Sequence, residues 1–226
     1  VLSSFVLATL LAAPLHPEPV PPGSSRYYFI LFAGQSVPFI PQTAHTWATF
    51  VKATPQADGT PTLEVLTISW LPVDGKVRVR EVRPAQGRNY SLEETFAIML
   101  RFNAQISYWG PFEIDAERYQ RAVEQVQLLQ SGVVRYRVLD SFRRKHNVAH
   151  CVHAVTYADP VLQWRIQPVL RVGEPGTSKL AAKYLAAGAF IGGAVRHEWV
   201  AEAIGLTQLP AIPRQPGEHI RRRWLR

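Results

Sequence analysis

Cysteine is nearly missing from this chain: Cys151 is the only one in 226 residues. That excludes an internal disulfide framework, so the thiol acts through packing or through reactivity. No Gly-rich phosphate loop is present, which removes the usual nucleotide cradle. The absence of an internal repeat sets aside solenoids and propellers. Beyond the first apolar run, no segment offers roughly 18 uninterrupted apolar residues, so a second membrane span is not expected. Acidic residues are the minority charge, 17 against 25 Lys and Arg, leaving a net charge of +8.

What is present suits one globular core. At 47% hydrophobic and 19% charged residues, the composition and length are those of a single folded domain. Three regions are expected: a leader over 1–25, a main domain over 26–210 and a basic tail over 211–226. Val1 to Pro14 is apolar but too short to cross a bilayer, and a Pro-rich stretch from Leu15 to Gly23 follows. With the small residues Ala12 and Ala13 near a cleavage point, this reads as a signal peptide for the periplasm or cell envelope; without that signal the location is cytoplasmic. Arg221 to Arg226 reads as a solvated end.

The main domain reads as strands followed by helices. Arg26 to Ala33, aromatic and β-prone, is expected as a buried strand. Thr46 to Ala53 and Thr62 to Leu71 form a hairpin through the turn residues Ala57 to Pro61. Val73 to Lys76 turns the chain into Val77 to Val82, completing an antiparallel meander with one wet face. Ser91 and Glu94 make a capping box ahead of a helix to Phe102. Gly110, between Trp109 and Pro111, reads as a turn. Asp115 caps a second helix on which Tyr119, Ala122, Val123, Val126 and Leu129 recur at helical spacing. Val133 to Leu139 is a further strand, Cys151 opens a short helix to Val155, and Leu180 to Ile204 is helical but interrupted by glycines. The fold class is therefore α+β, an antiparallel sheet with packed helices.

The chemistry centres on Cys151. Its segment holds His146, His150 and His153, and the preceding stretch carries Arg135, Arg137, Arg143, Arg144 and Lys145 against Asp140. A thiol opening a helix in such surroundings is held toward thiolate, and would alkylate readily at mildly acidic pH. The plain alternative is a small buried core residue.

The order of these pieces carries a resemblance. His45 begins a strand hairpin, a long amphipathic helix runs from Asp115 to Gln130, and a Tyr136-bearing strand precedes a Cys151-led helix. This resembles the circularly permuted papain-like hydrolases, the bacterial NlpC/P60-type group and the lecithin retinol acyltransferase-like enzymes. Their motif is similar to His45-Thr46-Trp47-Ala48 and His150-Cys151-Val152-His153, with His150 in place of the family's Asn. Ile68 to Pro72 and Trp109 to Pro111 are also similar to uncharacterised bacterial proteins of this type.

The resemblance implies a thiol hydrolase or acyltransferase acting on a peptide or acyl substrate, at amide or ester bonds, without a cofactor. Cys151 would be the nucleophile, His45 its base and the Cys151 N–H an oxyanion donor, with Gln35 as a second donor. The residue that orients the imidazole falls on Ser69, with Thr67 on the same face and Glu64 on the opposite one; the choice among the three stays open. As a strand-start residue, His45 is expected to carry little core volume.

Two other readings compete. His146, His150 and His153 share a helical face at zinc-ligand spacing, but Asn147 stands where a metalloprotease helix needs Glu. The other is a catalytically idle papain-like module whose basic face binds an anionic envelope surface. Nucleic acid is the weaker partner, because aromatics for base stacking are sparse in the basic segments. Oligomeric state is not legible from the sequence.

Overall fold

The computed structural model describes residues 24–78, 83–138, 147–159, 161–162 and 172–219. Most of the leader, most of the Val77–Val82 segment, His146 with its basic neighbours Arg143 to Lys145, and the Arg-rich end lie outside these residues. No described helix is long and apolar enough to cross a membrane.

The architecture is α+β, built on a five-stranded sheet of order β3-β2-β1-β6-β9. These strands are β1 (Arg26–Ser36), β2 (His45–Pro55), β3 (Pro61–Ile68), β6 (Ala104–Ile114) and β9 (Ala211–Arg214). All pairs are antiparallel except β6 with β9. A second sheet, β4-β5-β7-β8, joins the short strands Trp70–Pro72, Ala85–Asn89, Arg135–Tyr136 and Val148–Ala149. Five helices pack on these sheets: α1 (Leu92–Arg101), α2 (Ala116–Gln130), α3 (Cys151–Thr156), α4 (Glu174–Ala186) and α5 (Glu198–Ala203).

The strands β1, β2 and β3 pair as consecutive antiparallel neighbours, but not with one wet face. Phe29, Leu31 and Ala33 of β1 join a core with α2, α3 and α4, while Ile30 and Phe32 join one with α1. Tyr28 packs beside Trp199 and Val200 of α5. Helices thus cover both faces of β1, which is why its apolar run is continuous and not alternating. Exposure is found at the sheet's edges, at Thr62, Glu64 and Val65 of β3 and at Ile212 and Pro213 of β9.

Several local rules hold. The β2–β3 turn is closed by Asp58, whose Oδ1 accepts from Thr60 N and Oγ1 at 2.9 and 2.7 Å. Ser91 and Glu94 form the reciprocal capping box of α1, and Asp115 accepts from Arg118 N at the start of α2. Others fail. Trp70 to Pro72 leave the β3 strand for the second sheet, Val133 to Leu139 shrink to β7, and Val77 and Arg78 carry no strand. The glycine-interrupted helix divides into α4 and α5, separated by Gly188, Gly192 and Gly193 at positive φ. Ala211 to Arg214 are not tail but the parallel edge strand, and Trp109 Nε1 donates to Gln215 O at 3.0 Å just beyond it.

Candidate functional site

His45 opens β2, opposite Gly34 of β1, where β3 has already ended and no longer covers that edge. The ring lies 5.3 Å from Trp47 at an interplanar angle of 15°, and Trp47 stacks in turn on Phe32. His45 is 0% exposed, so the expectation that it carries little core volume is corrected. Its Nε2 is 2.9 Å from Ser69 Oγ.

Ser69 sits where the chain passes from β3 to β4. Its backbone N–H donates to Asn89 Oδ1 at 2.8 Å, while Asn89 Nδ2 donates to Thr67 O at 2.8 Å. One amide thus brackets the strand break and fixes the serine. The Thr95 hydroxyl lies 2.7 Å from Ser69 Oγ and 2.6 Å from the Ser91 carbonyl, and can give its single proton to either.

His45 Nδ1 is buried with no hydrogen-bond partner. If Nδ1 carried the proton, a buried N–H would lack an acceptor, a rarer arrangement than an unpaired acceptor. The proton is therefore assigned to Nε2, which donates to Ser69, and Nδ1 keeps its lone pair. Burial pushes the imidazole down to a pKa of about 3, so the ring is neutral at neutral pH.

The structure brings His45 and Ser69 together. Cys151 is the first residue of α3, 3% exposed, in the core that also holds Ala48 and Phe50 of β2. Trp47, against which His45 stacks, belongs to the core under α1 on the other face. No hydrogen bond joins Cys151 to either imidazole nitrogen.

The other sequence-derived residues have local roles. His150 Nδ1 accepts from Val152 N and His153 N at 3.1 and 3.3 Å, so this histidine caps α3 as an Asn would. His150 and His153 stack at 4.1 Å. No group of three or more His, Cys, Asp or Glu among the described residues is arranged to hold a metal. Thr67 pairs with Thr49 at 3.1 Å and Glu64 with Lys52 at 2.6 Å, both away from His45.

Gln35 Oε1 accepts from Glu174 N at 3.0 Å and so closes the start of α4. Glu174, 0% exposed, accepts from Ser107 Oγ and lies 3.8 Å from Arg214 Nη2, locking α4 to β6 and β9. No family model, curated protein or solved structure matches the chain.

Sequence reasoning missed Thr95 and Asn89. Thr95 had a signal: it stands four residues after the Ser91 cap, on the helical face it shares with Phe96 and Met99. Asn89 had none, because its role depends on two strands that separate at Ser69.

Proposed function

We propose that the chain is a papain-like scaffold serving as a binding module for an anionic partner, with its thiol catalytically idle. The order of a His-led strand, a long helix and a Cys-led helix on a largely antiparallel sheet supports the scaffold. The observation that carries the function is the His45 imidazole itself, which burial holds at a pKa of about 3 and which makes no hydrogen bond to Cys151. A thiol loses its proton to a base only within hydrogen-bonding reach. An imidazole with a pKa of about 3 is also a poor proton acceptor near neutrality. The net charge of +8 selects an anionic partner, and an exported location would supply envelope polymers.

A second reading, a thiol hydrolase or acyltransferase on amide or ester bonds, is favoured by one observation. Ser69 orients the imidazole through Nε2 and leaves Nδ1 with an unused lone pair.

Three measurements separate the two. Ester and amide reporters should show no turnover that Cys151→Ala removes. Native Cys151 should react with iodoacetamide at least about tenfold more slowly than in the urea-unfolded chain, because reaction waits on opening of the core. Retention on an anionic matrix should fall as salt rises. Turnover abolished by Cys151→Ala would establish the hydrolase and remove the module.

A further inference from the structure

The two outer strands of the main sheet are not equally protected. β9 has four residues, one of them Pro213, and a short strand bearing proline is a poor template for pairing. β3 runs eight residues beside β2 with no shift of register. Thr62 and Glu64 are exposed on one of its faces and Val65, at 48%, on the other. The Glu64 charge is met by Lys52 at 2.6 Å, so it does not guard the edge as a free charge would.

Which backbone groups of β3 point outward follows from the hairpin. Gln56 N donates to Thr60 O at 3.2 Å and closes the turn. Bonded and non-bonded pairs alternate along an antiparallel ladder, so Thr62, Glu64, Leu66 and Ile68 turn their N–H and C=O toward β2. Pro55 opposite Pro61 then falls on a non-bonded pair, as two residues without an N–H require. Leu63, Val65 and Thr67 face away from β2. Asn89 Nδ2 donates to Thr67 O at 2.8 Å, which agrees with the alternation and occupies that end of the edge. The outward N–H and C=O of Leu63 and Val65 meet no partner among the described residues, and Pro61 offers a carbonyl alone.

We propose that β3 pairs antiparallel with β3 of a second copy of this chain, about a two-fold axis at Leu63, joining the two sheets into one. A two-fold pairing opposes residues of the same face, so Leu63 meets Leu63, Thr62 meets Glu64 and Pro61 meets Val65 of the other copy. The open stretch suits itself as a partner. Leu63 both gives and takes a hydrogen bond across the axis, and each Val65 N–H reaches a Pro61 carbonyl, which can only accept. Thr62 and Glu64 stand on the non-bonded pair, where side chains come closest, and a hydroxyl there meets a carboxylate. A centre at Glu64 would instead oppose like charges, and one at Val65 would run Leu63 onto the Thr67 carbonyl that Asn89 holds. The pairing is independent of what Cys151 and His45 do.

The test sediments the full chain over a range of about 10 μM to 1 mM. A monomer–dimer equilibrium with a Kd of about 100 μM or tighter is expected, as suits a small interface. Amide exchange at Leu63 and Val65 should slow as concentration rises, while Thr62 and Glu64, already bonded to β2, change little. Thr62→Glu should weaken the dimer by about threefold or more and Thr62→Lys should tighten it by a similar factor, because each faces Glu64 of the other copy. Val65→Pro removes an outward N–H without touching the ladder to β2, and should weaken the dimer at least about tenfold. A thermal melt confirms that each variant is folded.

A chain that stays monomeric up to about 1 mM, or a dimer of equal affinity in Val65→Pro, overturns the pairing. Shifts of the same sign in the two Thr62 variants overturn the register about Leu63. Protection of Leu63 and Val65 that appears only when an unrelated extended peptide is added gives the edge to another partner and overturns self-pairing.

Discussion

Lowering the pH from 7 to 4 is expected to cost the folded protein roughly 3 kcal/mol of stability through His45 alone. The ring titrates at about 3 in the folded state and at 6.5 when unfolded. Between those values the unfolded chain binds a proton that the native chain refuses, so stability rises with pH across the interval. The contribution is complete above 6.5 and is lost progressively as pH falls toward 3. Each pH unit is worth about 1.4 kcal/mol, which sets the figure for the 2.5 units down to pH 4. The cause is local: the ring is buried, stacked on Trp47 and hydrogen-bonded to a hydroxyl, and no carboxylate among the described residues pairs with it to receive a cation. Urea unfolding at pH 7 and pH 4 measures the effect. In His45→Gln, which keeps a donor for Ser69, the change between the two pH values should shrink by most of that amount. An undiminished change in the variant would show that other groups carry the acid lability.

The elements that were legible in the sequence are those whose signals are local. The Ser91–Glu94 box, the Asp115 cap and the Asp58-Gly59 turn each satisfy backbone donors within a few residues. They therefore form as read, whatever packs around them. Elements that depend on distant partners were not legible. The path from Ile68 through Ser69 to Trp70 is one apolar segment in sequence, yet it serves two sheets, because Asn89 holds the backbone at the break. β9 reads as the start of a basic tail until its partner β6 is in place.

The candidate site divides in the same way. Ser69 was implied by the family resemblance, and period-2 spacing placed Thr67 on its face, because facing is a local property of extended chain. Its contact with His45 follows from the β2–β3 pairing register. Whether Cys151 meets that imidazole is a different kind of question. It depends on which face of β2 the α3 helix covers, and strand alternation puts His45 and Trp47 on one face and Thr46 and Ala48 on the other. Ala48 belongs to the core that includes Cys151, and Trp47 packs on Phe96 of α1. A pattern of residue types in the right order does not contain that choice. Burial was missed for a related reason: His45 heads a strand, but Trp47 stacks on its ring and Ser69 meets its Nε2.

Gly110→Ala is expected to destabilise the protein by about 3 kcal/mol or more, through a residue whose sequence context suggested only a turn. Gly110 instead lies within β6, at the register shift where β6 passes Phe29 and Leu31 of β1. Its φ is +107°, and an added Cβ would lie 2.5 Å from the Phe29 carbonyl oxygen and 3.0 Å from Phe112 N. Those are backbone atoms of a central strand pair and cannot swing aside as a side chain does. The same bulge anchors the segment before α5, since Gly110 O accepts from Arg196 Nε at 3.0 Å and Pro111 O from His197 N at 2.9 Å. Gly59→Ala supplies the control: its φ is +83°, but nothing lies within 4 Å of the new Cβ, so only the conformational strain of about 1 kcal/mol applies. For a chain of this size, 3 kcal/mol corresponds to a fall in Tm of roughly 6–12 °C, against about 2–4 °C for the control. Thermal melts of the two variants side by side make the comparison. Equal shifts would mean that the β1–β6 contact at the bulge yields freely, and that close backbone approach does not explain the glycine.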